Sequence, residues 1–186
     1  MGDHGAVAEK RGIQTVRSMV FSLGVVGIVV VALLIAGRHS AQDPVKRIDY
    51  SVKFQQASQD APYPLLAPTG LPGRWRATSA EYQGMDPAAT AWHVGLISPD
   101  GDYVAVEQSN GTPAPFVKDK SKNGTAVGER DVAGEQWQTY DGDKYRSLVR
   151  TKDGVTTVVT GTAPYDALAQ FAAALKPSVA GQPING

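Results

Sequence analysis

The sequence predicts an α+β protein: one N-terminal transmembrane helix, then an antiparallel meander sheet of six to seven strands with a C-terminal helix packed on one face. Three observations carry that reading. Ser18 to Ala36 is a 19-residue run without a charge. From Trp75 onward apolar and polar residues alternate with period two, broken by Asp-Gly pairs at 100–101, 141–142 and 153–154. The pattern then changes to helical spacing over Pro164–Lys176 and is halted by Pro177.

The apolar run sits between Arg17 and Arg38. A helix of that length extends roughly 28 Å at about 1.5 Å per residue, close to the ~30 Å hydrocarbon core of a bilayer. A cleaved signal peptide has a shorter apolar region and a small-x-small site after it. Here Gly37-Arg38-His39 comes next, so an uncleaved anchor in the lipid bilayer is expected over residues 18–36. Lys10, Arg11 and Arg17 on one side balance Arg38, Lys46 and Arg47 on the other, so charge alone does not orient it. Arg17 abutting the run, and the habit of a lone N-terminal anchor to export the chain beyond it, favour a cytoplasmic tail over 1–17. The rest is then expected outside the plasma membrane.

Residues 37–61 read as a stalk. It includes a short helix over Ser51–Ala61, where Phe54, Ala57 and Ala61 recur at helical spacing and Pro62 stops the chain. The expected exported domain covers 62–176, and 177–186 a frayed tail. Its first part, Ala61 to Gly73, holds four prolines, which exclude a regular helix or central strand and leave extended backbone laid against the body. Strands are expected at Trp75–Tyr82, Ala91–Ile97, Tyr103–Gln108, Val127–Val132, Glu135–Tyr140, Lys144–Lys152 and Val155–Gly161. The Asp-Gly pairs supply the positive φ that tight hairpins need. Ser109–Gly124 lacks periodicity and reads as an exposed loop. In the final helix Asp166 suits the positive N-terminal end, and Leu168, Phe171, Ala172 and Leu175 form the stripe that faces the sheet.

Composition excludes more than it assigns. There are 186 residues, 18 basic against 18 acidic side chains and no cysteine. Disulfides, thiolate metal sites and cysteine nucleophiles are therefore absent, and no basic excess marks a nucleic-acid partner. His93, between Trp92 and Val94, is the one histidine in the folded region. General-base work would require a hydroxyl and an orienting carboxylate beside it. No G-x-S-x-G frame surrounds any serine, so a structural histidine, no catalytic residue and no enzyme are expected. Asp100-Gly-Asp102 and Asp141-Gly-Asp143 do not continue as calcium loops. No metal or cofactor site is expected, and Trp75, Trp92 and Trp137 read as core. Pro68, Leu71 and Pro72 on the proline-rich edge, with Lys118, Lys120 and Lys122 in the loop, form the candidate interaction surface.

Several ordered motifs bear a family likeness. Pro68-Thr-Gly-Leu-Pro-Gly-Arg-Trp75, Ala91-Trp-His-Val-Gly-Leu-Ile97, Tyr103-Val-Ala-Val-Glu-Gln-Ser109, Gly134-x-x-Trp137, Ser147-Leu-Val-Arg150 and Val158-Val-Thr-Gly161 resemble an actinobacterial family of single-pass envelope proteins known only as a domain of unknown function. The resemblance implies a short inside tail, one anchor and an exported domain, and it brings no catalytic residues. The expected function is a membrane-tethered interaction or accessory module of the bacterial envelope, partnered by another membrane or envelope protein. The alternative is an extracytoplasmic binder of lipid, glycan or a small apolar ligand.

Overall fold

A computed structural model describes residues 49–71 and 74–177. The expected anchor at 18–36, the tail 1–17, the stalk to residue 48, Pro72 and residues 178–186 lie outside them. Among the described residues no helix is long and apolar enough to cross a membrane.

The chain runs α1 (Ser51–Asp60), β1 (Leu66–Pro68), β2 (Arg76–Gln83), β3 (Ala91–Ile97), β4 (Tyr103–Ser109), α2 (Pro113–Lys120), β5 (Thr125–Val132), β6 (Glu135–Asp141), β7 (Arg146–Lys152), β8 (Val155–Gly161), α3 (Tyr165–Ala173) and β9 (Leu175–Pro177). This is the expected α+β class, with seven antiparallel strands in one sheet. The spatial order β2-β3-β4-β8-β7-β6-β5 corrects the simple meander. Two meanders meet, because the chain leaves β4, crosses through α2 to the far edge and works back until β8 closes on β4. The segment read as a loop is what makes that crossing.

Alternation sorts the strand residues onto two faces. One face is dry. Trp92, Val94, Val104, Val106, Leu148 and Val159 are fully buried there, under Leu168 and Phe171 of α3. The expected stripe thus meets the sheet through Leu168, Phe171 and Ala172. Leu175 does not belong to the helix: α3 ends at Ala173 and Leu175 opens β9. Trp92 and Trp137 are core as expected, with Trp92 against Phe54 at 5.6 Å between ring centroids; Trp75 is half-buried at the core's margin and packs against Phe171 at 5.5 Å.

The same face receives α1 and the proline-punctuated segment. Phe54 and Ala57 of α1 belong to the main apolar cluster, so the folded body begins near residue 50 and a boundary at 62 falls inside it. Tyr63, Leu65 and Ala67 are buried with them. Here the expected extended backbone is fastened by side chains. Trp92 Nε1 donates to the Leu66 carbonyl at 3.0 Å, and the Leu66 amide donates to Gln108 Oε1 at 2.6 Å. β1 then pairs antiparallel with β9, Ala67 opposite Lys176.

Turn chemistry is local and strict. Asp153 and Gly154 both take positive φ (51° and 78°) and make the two-residue β7–β8 hairpin. Ala133 and Gly134 (55° and 84°) do the same between β5 and β6. Asp141-Gly142 does not. β6 includes Asp141, and residues 142–145 form a wider loop closed by the Gly142 amide donating to the Tyr145 carbonyl at 2.9 Å.

A polar cleft on the open face of the sheet

The second face of the sheet is half covered. Over β7 and β8, Val149 and Val158 pack against Val117 and Phe116 of α2. α2 corrects the loop reading of Ser109–Gly124. Pro113 and Pro115, which read as breakers, occupy its beginning, where an amide is not required, and Phe116 and Val117 give it one apolar turn to bury. Lys122 and Asn123 end it with positive φ (58° and 61°), and the Asn123 amide donates to the Lys118 carbonyl at 2.9 Å.

Beside α2, over β2, β3 and β4, the face is open and polar. It floors a cleft of about 380 Å³ whose lining includes Glu81, His93, Tyr103, Glu107, Lys120 and Tyr145. Strand register assembles this group. His93 on β3 stands directly opposite Glu107 on β4 and Glu81 on β2. Facing side chains on neighbouring strands lie about 5 Å apart at Cβ, so an imidazole and a carboxylate there are in reach of each other. His93 Nδ1 lies 2.7 Å from Glu107 Oε1, and its Nε2 lies 2.7 Å from Ser79 Oγ. Lys120, in the last turn of α2, brings its ammonium to 3.6 Å from Glu107 Oε2.

Ser79 reaches this face through an irregularity. The register of β2 on β3 shifts between Ala77 and Ser79, so that Ala77 faces Leu96 while Ser79 faces Gly95. Thr78 is the extra residue of the bulge. Without it Ser79 would oppose Val94 and point to the dry face; with it the hydroxyl is turned towards His93. Gly95 leaves this space free. A Cβ there would stand 2.6 Å from Ser79 Oγ and 2.9 Å from the Tyr103 hydroxyl.

Burial grades the site. The Glu107 side chain is 9% exposed and His93 23%. A carboxylate only accepts hydrogen bonds, so Nδ1 is the donor to Glu107, and in the neutral imidazole Nε2 then faces the Ser79 hydroxyl as an acceptor. The Tyr103 phenol is pushed up to about 12, first by burial and then by the charge of Glu107, and is a donor throughout the neutral range. Among the described residues no group of three or more His, Asp or Glu side chains could hold a metal ion.

The residues singled out from the sequence fare differently. Pro68 is buried and pairs with Leu175, which removes it from any exposed edge. Leu71 packs partly buried against the main core. Lys118 and Lys122 are exposed, and Lys122 joins Lys120 in the lining of the cleft. Sequence reasoning misses Ser79 and Glu107. Glu107 does carry a signal: Ile97 and Tyr103 flank the Asp100-Gly101 turn, and counting four residues back and four forward pairs His93 with Glu107.

These side chains all lie within one family match. The family model described as "Protein of unknown function (DUF4245)" covers residues 11–175. The chain belongs to this family. No curated protein matches it. The DUF4245 match takes in the apolar run, both faces of the sheet, α3 and every residue of the Ser79–His93–Glu107–Lys120 network.

Proposed function

We propose that this DUF4245 protein is a membrane-tethered extracytoplasmic accessory module of the bacterial cell envelope. One observation carries the reading: a 19-residue uncharged run, bounded by Arg17 and Arg38, precedes a folded α+β body in the same chain. The family match begins at residue 11 and so treats run and body as one unit. Tethered in this way, the body works by contact, and the open polar half of its sheet is the surface it offers.

The test is fractionation of cells producing the full chain. It is expected in the membrane pellet, resistant to carbonate and released by detergent, and a cysteine introduced at Lys120 is expected to react with an impermeant thiol reagent in intact cells. Full-length chain in the supernatant, or labelling only after lysis, would reject the tether or the orientation respectively.

The alternative of a binding module is favoured by the cleft, with one change. Its lining sets carboxylate, imidazole, ammonium and phenol beside Ala91 and Trp92, so the ligand it suits carries polar groups as well as an apolar part.

A further inference from the structure

The open face carries more than contact. We propose that Ser79, His93 and Glu107 form a hydroxyl–imidazole–carboxylate relay that makes Ser79 a nucleophile towards small acyl esters. This step goes beyond the tethered-module reading and does not depend on it.

Four observations point the same way. Both links of the relay are 2.7 Å, and they run through opposite nitrogens of one imidazole, the arrangement in which a base can take the serine proton while being held from behind. A bulge at Thr78 turns Ser79 to this face, and bulges commonly re-aim a side chain next to a working site. Gly95 keeps clear the space that Ser79 Oγ and the Tyr103 hydroxyl share. Beside them lies a cleft of about 380 Å³, lined by His93, Tyr103 and Glu107, with room for a short acyl group and its alcohol.

Ser79 lies in a strand, whose amides run in the plane of the sheet rather than along its side chain. A hole made of backbone amides is therefore not at hand, and the developing oxyanion falls to side chains. The Tyr103 phenol, beside Ser79 over Gly95, is the donor so placed. In the forward step the Ser79 oxygen bonds to the ester carbonyl carbon and its proton passes to His93 Nε2. The bond to the leaving alcohol oxygen breaks, and His93 returns the proton to that oxygen. Water then bonds to the acyl carbon as His93 accepts its proton, the bond from that carbon to Ser79 Oγ breaks, and His93 returns the proton to Oγ, which releases a carboxylic acid and restores Ser79 and His93. Glu107 touches neither substrate nor reacting atom. It is a positioning residue, and Lys120 holds its other oxygen.

The test uses the full chain in detergent micelles with two probes, an alkyl fluorophosphonate and p-nitrophenyl butyrate. With the first, a Ser79 Oγ–P bond forms as fluoride leaves and the proton passes to His93. The expected results are one covalent adduct mapped by mass spectrometry to Ser79, and ester turnover that vanishes in Ser79→Ala. His93→Gln should slow adduct formation ~100-fold or more, the usual scale of a general base. Glu107→Asp should recover part of the rate that Glu107→Gln loses, a graded rescue that a merely structural role would not give. The mapping is made on the wild-type chain, so it stands even where a variant fails to fold. A folded wild-type chain that stays unmodified, or an adduct on another residue, overturns the proposal.

Discussion

The two faces of the sheet are made from the same seven strands and do opposite things. The dry face is closed by α1, α3 and the β1–β9 ribbon, and its central side chains, from Trp92 to Val159, have no exposure. Among the described residues, the open face has only the short α2 over one half. The other half is furnished with residues that interact by hydrogen bonds: Glu81, His93 and Glu107 in one row, Ser79 and Thr160 in the next. Along β2, β3 and β4 stability and chemistry are thus separated by one peptide, whereas β7 and β8 are packed on both faces, with Val149 and Val158 under α2. A substitution at residue n is a folding experiment and one at n + 1 is a site experiment, which makes the comparison easy to attack.

The largest effect is expected from the dry face. Phe171→Ala removes a fully buried ring and should destabilise the domain by about 3–5 kcal/mol, and Leu148→Ala by about 2–5 kcal/mol, read from urea unfolding. A loss below about 1 kcal/mol at both would show that α3 is not the lid of the core. Gly161→Ala comes next. A Cβ at that position would stand on the carbonyl oxygen of Tyr103, a backbone atom that cannot turn aside. Overpacking of this kind typically costs about 1–3 kcal/mol, and β4 and β8 should separate locally in hydrogen exchange.

Gly95→Ala sharpens the contrast, because its added methyl meets side-chain oxygens rather than backbone. It should lower ester turnover severely while the denaturation midpoint moves less than in Gly161→Ala; equal losses of stability would merge the two glycines into one structural class. Ser79→Ala should shift unfolding by no more than about 1 kcal/mol, the scale of one hydrogen bond. The smallest effect is alkaline. Tyr50, half-buried, and Tyr103 are both raised to about 12, against about 10 in an unfolded chain. Their contribution is fully present below about pH 10 and is lost as pH rises towards about 12, since the unfolded phenols release protons first. Absorbance at 295 nm should show these phenols titrating late, and Tyr103→Phe should remove one of them.

Much of the fold was legible because it is local. Asp153-Gly154 and Asp100-Gly101 announce their turns, and Leu168, Phe171 and Ala172 announce the face of α3. What escaped was what depends on distance or on one extra residue. Pairing of β4 with β8 joins segments more than 40 residues apart, and no periodicity encodes a neighbour. α2 offers a single apolar turn between prolines, too little pattern to outweigh its turn-like ends. The candidate site divides in the same way. His93 opposite Glu107 can be had by counting from a turn, whereas Ser79 joins them only because Thr78 is surplus to the register, and the run Arg76–Tyr82 carries no mark of where its phase slips. A three-membered arrangement was therefore visible as two members at most.

The ribbon of β1 and β9 also sets an order of events. Leu66–Pro68 comes early in the body and has as its partner Leu175–Pro177, more than a hundred positions later. The Thr69 amide likewise waits for the Ala174 carbonyl, which it meets at 3.0 Å. Synthesised amino-end first, the polypeptide holds its first extended segment unzipped until nearly the whole body has been made. The ribbon can then close only once its second strand is available, so a chain cut short before residue 175 would lack it.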